Sequence, residues 1–333
     1  MTKIAKNILI GAGIVAAGAA TITAISYNVT KKLVKVALDR EQPKASEKSK
    51  NKISGSDGPV GMFEELSAAA AERLKNSDCE IVEITAHDGE SLIGHLHKCE
   101  SAERLLIAMH GWRSSWVKDF GAIADLFQQN NCSVLYVEQR GQGKSGGEYM
   151  GFGLIERYDC LDWIKWANEH GYAELPVYLC GISMGASTVL MAASLELPEN
   201  VHGIIADCGY TSPHDIWKHV AENNLHMSYN GITAAIVNDM CKKKIQVGAK
   251  DYSCIDSMRE CKVPVLFVHG TDDHFVPIEM TYENYKACTA PKRLLVVPGA
   301  EHCMSYWTDK EKYEKELKNF WHDYDENTEL NML

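Results

Sequence analysis

The sequence predicts an α/β protein built on one mostly parallel, eight-stranded sheet flanked by helices, with a small helical cap inserted late in the chain. Three observations carry this reading. Eight apolar runs of strand length recur between residues 80 and 299, and helix-length segments separate most of them. From Arg104 onward most of the runs are continuously aliphatic rather than alternating. Such runs suit strands buried on both faces, the condition of a parallel sheet covered by helices.

In chain order the strand-like runs are EIVEITA (80–86), SLIGHLH (91–97), RLLIAMH (104–110), SVLYVEQ (133–139), VYLCG (177–181), VHGIIAD (201–207), VPVLFVHG (263–270) and RLLVVPG (293–299). Asp88-Gly89 joins the first two and is a hairpin signal, so the sheet should begin antiparallel. Helical patterning covers 117–129, 154–170, 183–195, 277–288 and 310–323, where crossover helices belong. Between Asp207 and Val263 there is helical patterning without a clear strand, and 214–262 reads as the cap. Residues 63–75 look like an amphipathic helix ahead of the first strand, which places the folded domain at 61–333.

The segment before it differs in kind. Residues 7–30 carry no charge, and 8–25 read ILIGAGIVAAGAATITAI, close to the ~20 apolar residues that cross a bilayer. Residues 1–38 are therefore expected to be a single-pass membrane anchor with its juxtamembrane segment. A cleaved signal peptide (Ala17-Gly18-Ala19 resembles a cleavage site) and a buried core helix are the competing readings. Lysines flank both ends of the run, so the side faced by the folded domain stays open. Residues 39–60 are rich in Lys, Ser, Gly and Pro and read as a polar tether. On this reading, removing residues 1–38 should leave the chemistry unchanged.

At 333 residues, with 45% apolar and 24% charged residues, the composition is that of a globular protein. A net charge of −11 without a basic cluster in the folded region argues against nucleic acid as a partner. No two of the eleven cysteines form a CxxC pair, so they read as mostly reduced thiols rather than zinc ligands. His95-x-His97 has no accompanying ligand set. Gly143-Lys144-Ser145 mimics the end of a P-loop, but Glu138 occupies the required earlier glycine position. Trp163 and Trp166 sit three apart in a helical pattern and should face the core.

The chemistry-bearing motif is Gly181-Ile182-Ser183-Met184-Gly185, directly after the strand VYLC and directly before the helix-like ASTVLMAAS. A sharp strand-to-helix turn exposes such a serine in strained backbone geometry, and the flanking glycines remove the clashes that would forbid it. The bland alternative is a helix N-cap serine.

With this motif the sequence from about Glu80 to the C-terminus resembles the α/β-hydrolase superfamily. GISMGASTVLM, IIADCGYTSP and VLFVHGTDDHFVP are most similar to bacterial membrane-anchored hydrolases related to the prolyl-oligopeptidase and serine-aminopeptidase groups. The resemblance implies a triad in the order serine, acid, histidine: Ser183 as nucleophile, Asp273 as orienting acid and His302 as general base. Asp272 and Asp207 compete with Asp273 for the acid. His110-Gly111-Trp112 matches the family's oxyanion loop, which implies that the backbone N–H groups of Trp112 and Met184 hold the oxyanion. His110 is expected to brace that loop, and His269, His274 and His322 to be structural or surface residues. Trp112, Trp116 and Phe275 are expected to wall an apolar acyl pocket.

The implied function is a serine hydrolase that cleaves carboxylic esters through an acyl-enzyme, with no metal or organic cofactor and a small ester, acyl or short peptide substrate. A peptidase or acyltransferase on the same triad is the alternative within enzymes. A non-catalytic, membrane-bound binding protein is the alternative outside them.

Overall fold

The computed structural model describes residues 27–41 and 61–325. The apolar run up to residue 26, and residues 42–60 of the expected tether, lie outside the described residues. Among the described residues no helix is long and apolar enough to cross a membrane.

Eight strands form one sheet: β1 Glu80–Thr85, β2 Ser91–His97, β3 Arg104–Met109, β4 Cys132–Glu138, β5 Val177–Ile182, β6 Val201–Asp207, β7 Val265–Gly270 and β8 Lys292–Val297. Their spatial order is β1-β2-β4-β3-β5-β6-β7-β8. β1, β2 and β4 pair antiparallel, and all remaining pairs are parallel. The antiparallel start follows from the turn at Asp88-Gly89, where Gly89 takes a φ of 94° that a side chain would resist. Every residue of β3, β4 and β7 is buried, as continuous aliphatic runs require when helices cover both faces.

The described helices are α1 (residues 27–38), α2 Gly61–Lys75, α3 Trp116–Phe120, α4 Ala124–Gln129, α5 Glu156–Ala167, α6 Met184–Ala192, α7 Pro213–His219, α8 Gly231–Ile245, α9 Cys254–Glu260, α10 Ile278–Ala287, α11 Ser305–Thr308 and α12 Lys310–Tyr324. One sheet face is covered by α5 and α6, with Trp163, Met184 and Leu190 in its core. The other carries Phe120, Phe127, Phe320 and Trp321. Trp163 is fully buried, whereas Trp166 is only partly so and stacks on His170 at a 4.6 Å centroid distance.

Three differences from the sequence expectation have local causes. The single helix expected over 117–129 is broken into α3 and α4 around Gly121. A side chain there would come within 2.8 Å of the Ala70–Ala71 backbone, so the break lets α2 pack close. Within the expected cap, α9 packs against α6 and α10 and so joins the helical layer over the sheet. Residues 27–41 are docked onto the domain instead of leading away from it.

The docking of α1 has a plain physical basis. Thr30, Val34 and Leu38 recur at i, i+4 and i+8 and are buried, while Lys31, Lys32 and Lys35 lie on other faces. Carbonyls near the helix end are capped from the domain: the Trp112 indole N–H donates to Ala37 O (2.9 Å), and the Arg113 guanidinium donates to Val36 O (2.7 Å) and Asp39 O (2.6 Å). Arg40 donates to Ser145 O (2.6 Å) and Gly143 O (2.7 Å), and the Asp39 carboxylate pairs with Lys244 at 2.7 Å.

Candidate active site

Ser183 stands between β5 and α6 with φ 56° and ψ −116°, a backbone conformation that non-glycine residues avoid. Its side chain makes no capping bond to α6, so the N-cap alternative does not describe it. The glycines explain how the turn closes. A side chain at Gly181 would collide with the Gly185 backbone, and one at Gly185 with the Met109 carbonyl. The Ser183 N–H donates to Asp207 O at 2.9 Å, tying the turn to the neighbouring strand end.

His302 lies in the loop after β8, and Asp273 in the loop after β7. Because these strands are neighbours, the two loops meet: the N–H groups of Thr271 and Asp272 donate to Val297 O and Ala300 O, both at 3.0 Å. His302 Nε2 is 2.9 Å from Ser183 Oγ, and His302 Nδ1 is 2.7 Å from Asp273 Oδ2. The network assigns the proton to Nδ1, leaving Nε2 to accept from the serine hydroxyl. Asp273 Oδ1 accepts from the N–H groups of Phe275 (3.0 Å) and Val276 (2.8 Å), so both carboxylate oxygens are held.

The structure separates the three competing acids. Asp272 is exposed and takes a hydrogen bond from its neighbour Thr271 at 2.8 Å. Asp207 is buried and accepts from Ser305 Oγ at 3.2 Å; burial pushes its carboxyl up to about 6. Only Asp273, among the three, hydrogen-bonds the imidazole. Burial alone would raise Asp273 as well, but His302 and His269 hold it below the usual carboxylate range. Burial in turn would lower His302, yet the facing Asp273 carboxylate outweighs it and raises the imidazole well above its ordinary value.

Backbone at Gly111 runs against the serine, since a side chain there would be 3.3 Å from Ser183 Cβ. His110 Nδ1 donates to Gly111 O (2.8 Å) and its Nε2 accepts from the Gln139 N–H (3.2 Å), the bracing position expected of it. Asp119 fixes the same loop through the Gly111 N–H at 2.6 Å.

The family described as Hydrolase_4, serine aminopeptidase S33, matches residues 100–232. The uncharacterized protein YqkD of Bacillus subtilis is 26% identical over 207 residues, which are 61% of this chain and 67% of that one. Among solved structures, the Pyrococcus furiosus esterase Pf2001 superposes with a TM-score of 0.62 at 20% identity, over 74% of this chain and 92% of its own. Est1E of Butyrivibrio proteoclasticus, solved with ferulic acid bound, reaches 0.58 at 19% identity, over 73% and 98%.

The chain has the α/β-hydrolase fold.

In this fold Ser183 opens into a cavity of about 400 Å³. Trp112 and Phe275 of the expected pocket residues line it, Met184 lines it too, and the Phe275 ring stands edge-on to His302 at 4.9 Å. Trp116 does not. It packs on the opposite sheet face, stacked 4.3 Å from His95 and against Tyr136, because the Ser115 cap starts α3 there and turns its first side chain inward. His95 in turn bonds Glu138 at 2.7 Å, so the His95-x-His97 pair is structural. A larger depression of about 660 Å³ near Leu74, Leu96 and Cys132 contains none of the site residues.

Two contributors escaped the sequence. His269 is fully buried with Nε2 3.1 Å from Asp273 Oδ2 and Nδ1 2.7 Å from Thr281 Oγ1, a second brace on the acid. The other is α1, whose Val29, Leu33, Val34 and Ala37 face the cavity opposite Trp217 and Val237. The i, i+4, i+8 spacing of Thr30, Val34 and Leu38 was the available signal.

Proposed function

We propose that the hydrolase cleaves carboxylic esters of apolar acyl groups through an acyl-enzyme on Ser183. The observation that carries this reading is the hydrogen-bonded chain Ser183–His302–Asp273, at 2.9 and 2.7 Å, opening onto the apolar cavity. Ser183 Oγ attacks the ester carbonyl while His302 Nε2 takes its proton, and Asp273 stabilises the imidazolium. The N–H groups of Trp112 and Met184 receive the oxyanion. His302 returns the proton to the leaving alcohol, and water, activated by the same imidazole, releases the acid.

The cavity also bears on the peptidase alternative suggested by the family's description. Among the described residues that line it none is Asp, Glu, Lys or Arg. An aminopeptidase substrate would have to bury its ammonium there without a partner, a cost of several kcal/mol. An acyl chain meets a wall that is mostly apolar.

Because α1 forms part of that wall, truncation is a substrate test. Each methylene that loses its apolar surroundings forfeits about 0.8 kcal/mol. Deleting residues 1–41 should therefore lower kcat/KM for an octanoyl p-nitrophenyl ester about tenfold or more relative to the acetyl ester, two lost methylene contacts being sufficient. The same panel run with aminoacyl anilides decides between ester and amide, and preferred turnover of the anilides would sink the ester reading. We read the apolar run 8–25, which leads into α1, as a membrane anchor holding this pocket near the bilayer. Flotation of the full chain with liposomes, lost on removing residues 1–26, is the expected outcome.

A further inference from the structure

Cys208 follows β6 directly, and Cys303 follows His302. The chain brings them together across 95 positions of sequence, with Sγ–Sγ at 3.6 Å. Both sit at left-handed φ, 50° and 61°, so the surrounding fold, not local preference, holds the two thiols in place. Cys208 Sγ, Cys303 Sγ and a ring nitrogen of His302 all lie within 4.8 Å of one another.

A close dithiol has two chemical fates, a disulfide or a shared metal ion. A disulfide would use only the two sulfurs, whereas a third donor, the His302 ring nitrogen, lies within 4.8 Å of both. A dication instead displaces the thiol protons and supplies the positive charge that burial withholds. The geometry agrees, because two thiolates on a tetrahedral zinc with ~2.3 Å bonds stand about 3.8 Å apart.

We propose that Cys208, Cys303 and His302 form a site for a thiophilic divalent cation such as Zn²⁺ or Cd²⁺, whose binding switches the hydrolase off. Two thiolates and one imidazole are a zinc donor set that leaves a fourth position for water. The off-switch rests on the catalytic reading above, while binding itself does not. Both ring nitrogens of His302 are engaged, one by Ser183 and one by Asp273. A metal that takes either of them removes one of these contacts, so the imidazole can no longer be both oriented and available to the serine.

The test uses the full chain, reduced and stripped of metal. Cd²⁺ is titrated while the cadmium–thiolate absorbance is followed, and Zn²⁺ while hydrolysis of a p-nitrophenyl ester is followed. Cys208→Ser and Cys303→Ser are compared with Cys261→Ser, whose thiol sits at the C-terminal end of α9 and bonds Val263 O, each variant being scored as its own rate with and without metal. The expected result is inhibition of wild type and Cys261→Ser, reversed by a chelator. The midpoint should move to about tenfold higher Zn²⁺ or more in the other two, with a loss of their cadmium band. An unchanged band in Cys208→Ser and Cys303→Ser overturns the site, whatever becomes of the triad. Inhibition reversed by a thiol reductant but not by a chelator assigns the pair to a disulfide instead. Binding without inhibition, in a chain whose Ser183→Ala variant is inactive, removes His302 from the ligand set. If Ser183→Ala were active, the catalytic reading would fail while the metal site stood.

Discussion

Ser183→Ala is expected to lower ester turnover by roughly 10⁴-fold or more while leaving the fold intact. The fold should survive because the change removes one oxygen that caps no helix. What should disappear is the proposed nucleophile and, with it, the use of the His302–Asp273 pair. Residual hydrolysis would come from the pocket and the oxyanion donors alone. Fluorophosphonate labelling of the wild type, and its absence in the variant, checks the assignment independently of substrate choice. Near-normal turnover in Ser183→Ala would place the nucleophile elsewhere.

Asp273→Asn should be the next most damaging change, costing kcat roughly 10³- to 10⁴-fold with a smaller effect on KM. An amide in that position presents N–H donors to the imidazole and so selects the wrong tautomer. Asp272→Asn, one residue away and exposed, should retain most activity. Equal damage in both would indicate distortion of the loop, and a more damaged Asp272→Asn would move the acid there. The pair also has a pH signature. On the proposed mechanism His302 is the neutral base, and Asp273 raises its pKa, so wild-type kcat/KM should rise with pH through a midpoint above the ordinary imidazole value of ~6.5. Removing the carboxylate charge lets burial dominate, and the midpoint of the residual Asp273→Asn activity should fall. A midpoint that did not move would argue that Asp273 does not act on His302.

Much of the architecture was legible because its determinants are local. A strand buried on both faces, as β3, β4 and β7 are, must be largely apolar, and all eight strand-like runs correspond to strands within a few residues. The turn at Gly181-Ile182-Ser183-Met184-Gly185 was equally readable, since only glycine tolerates the approach of Met109 and of the turn's own backbone. The break at Gly121 was not, because it depends on α2 arriving from outside the motif.

The sequence by itself determined the strand–helix alternation and the glycine-flanked turn at Ser183, both set by short-range periodicity and turn chemistry, while the order serine, acid, histidine was what the family resemblance implied. It could not decide among Asp207, Asp272 and Asp273, because which carboxylate meets His302 depends on how the β7 and β8 loops fold against each other. Nor could it send Trp116 to the opposite sheet face, place α1 against the serine, or bring Cys208 to Cys303. Those outcomes follow from the neighbour relations of strands and from burial of surfaces far apart in the chain, and such long-range packing is decided only when the tertiary structure closes.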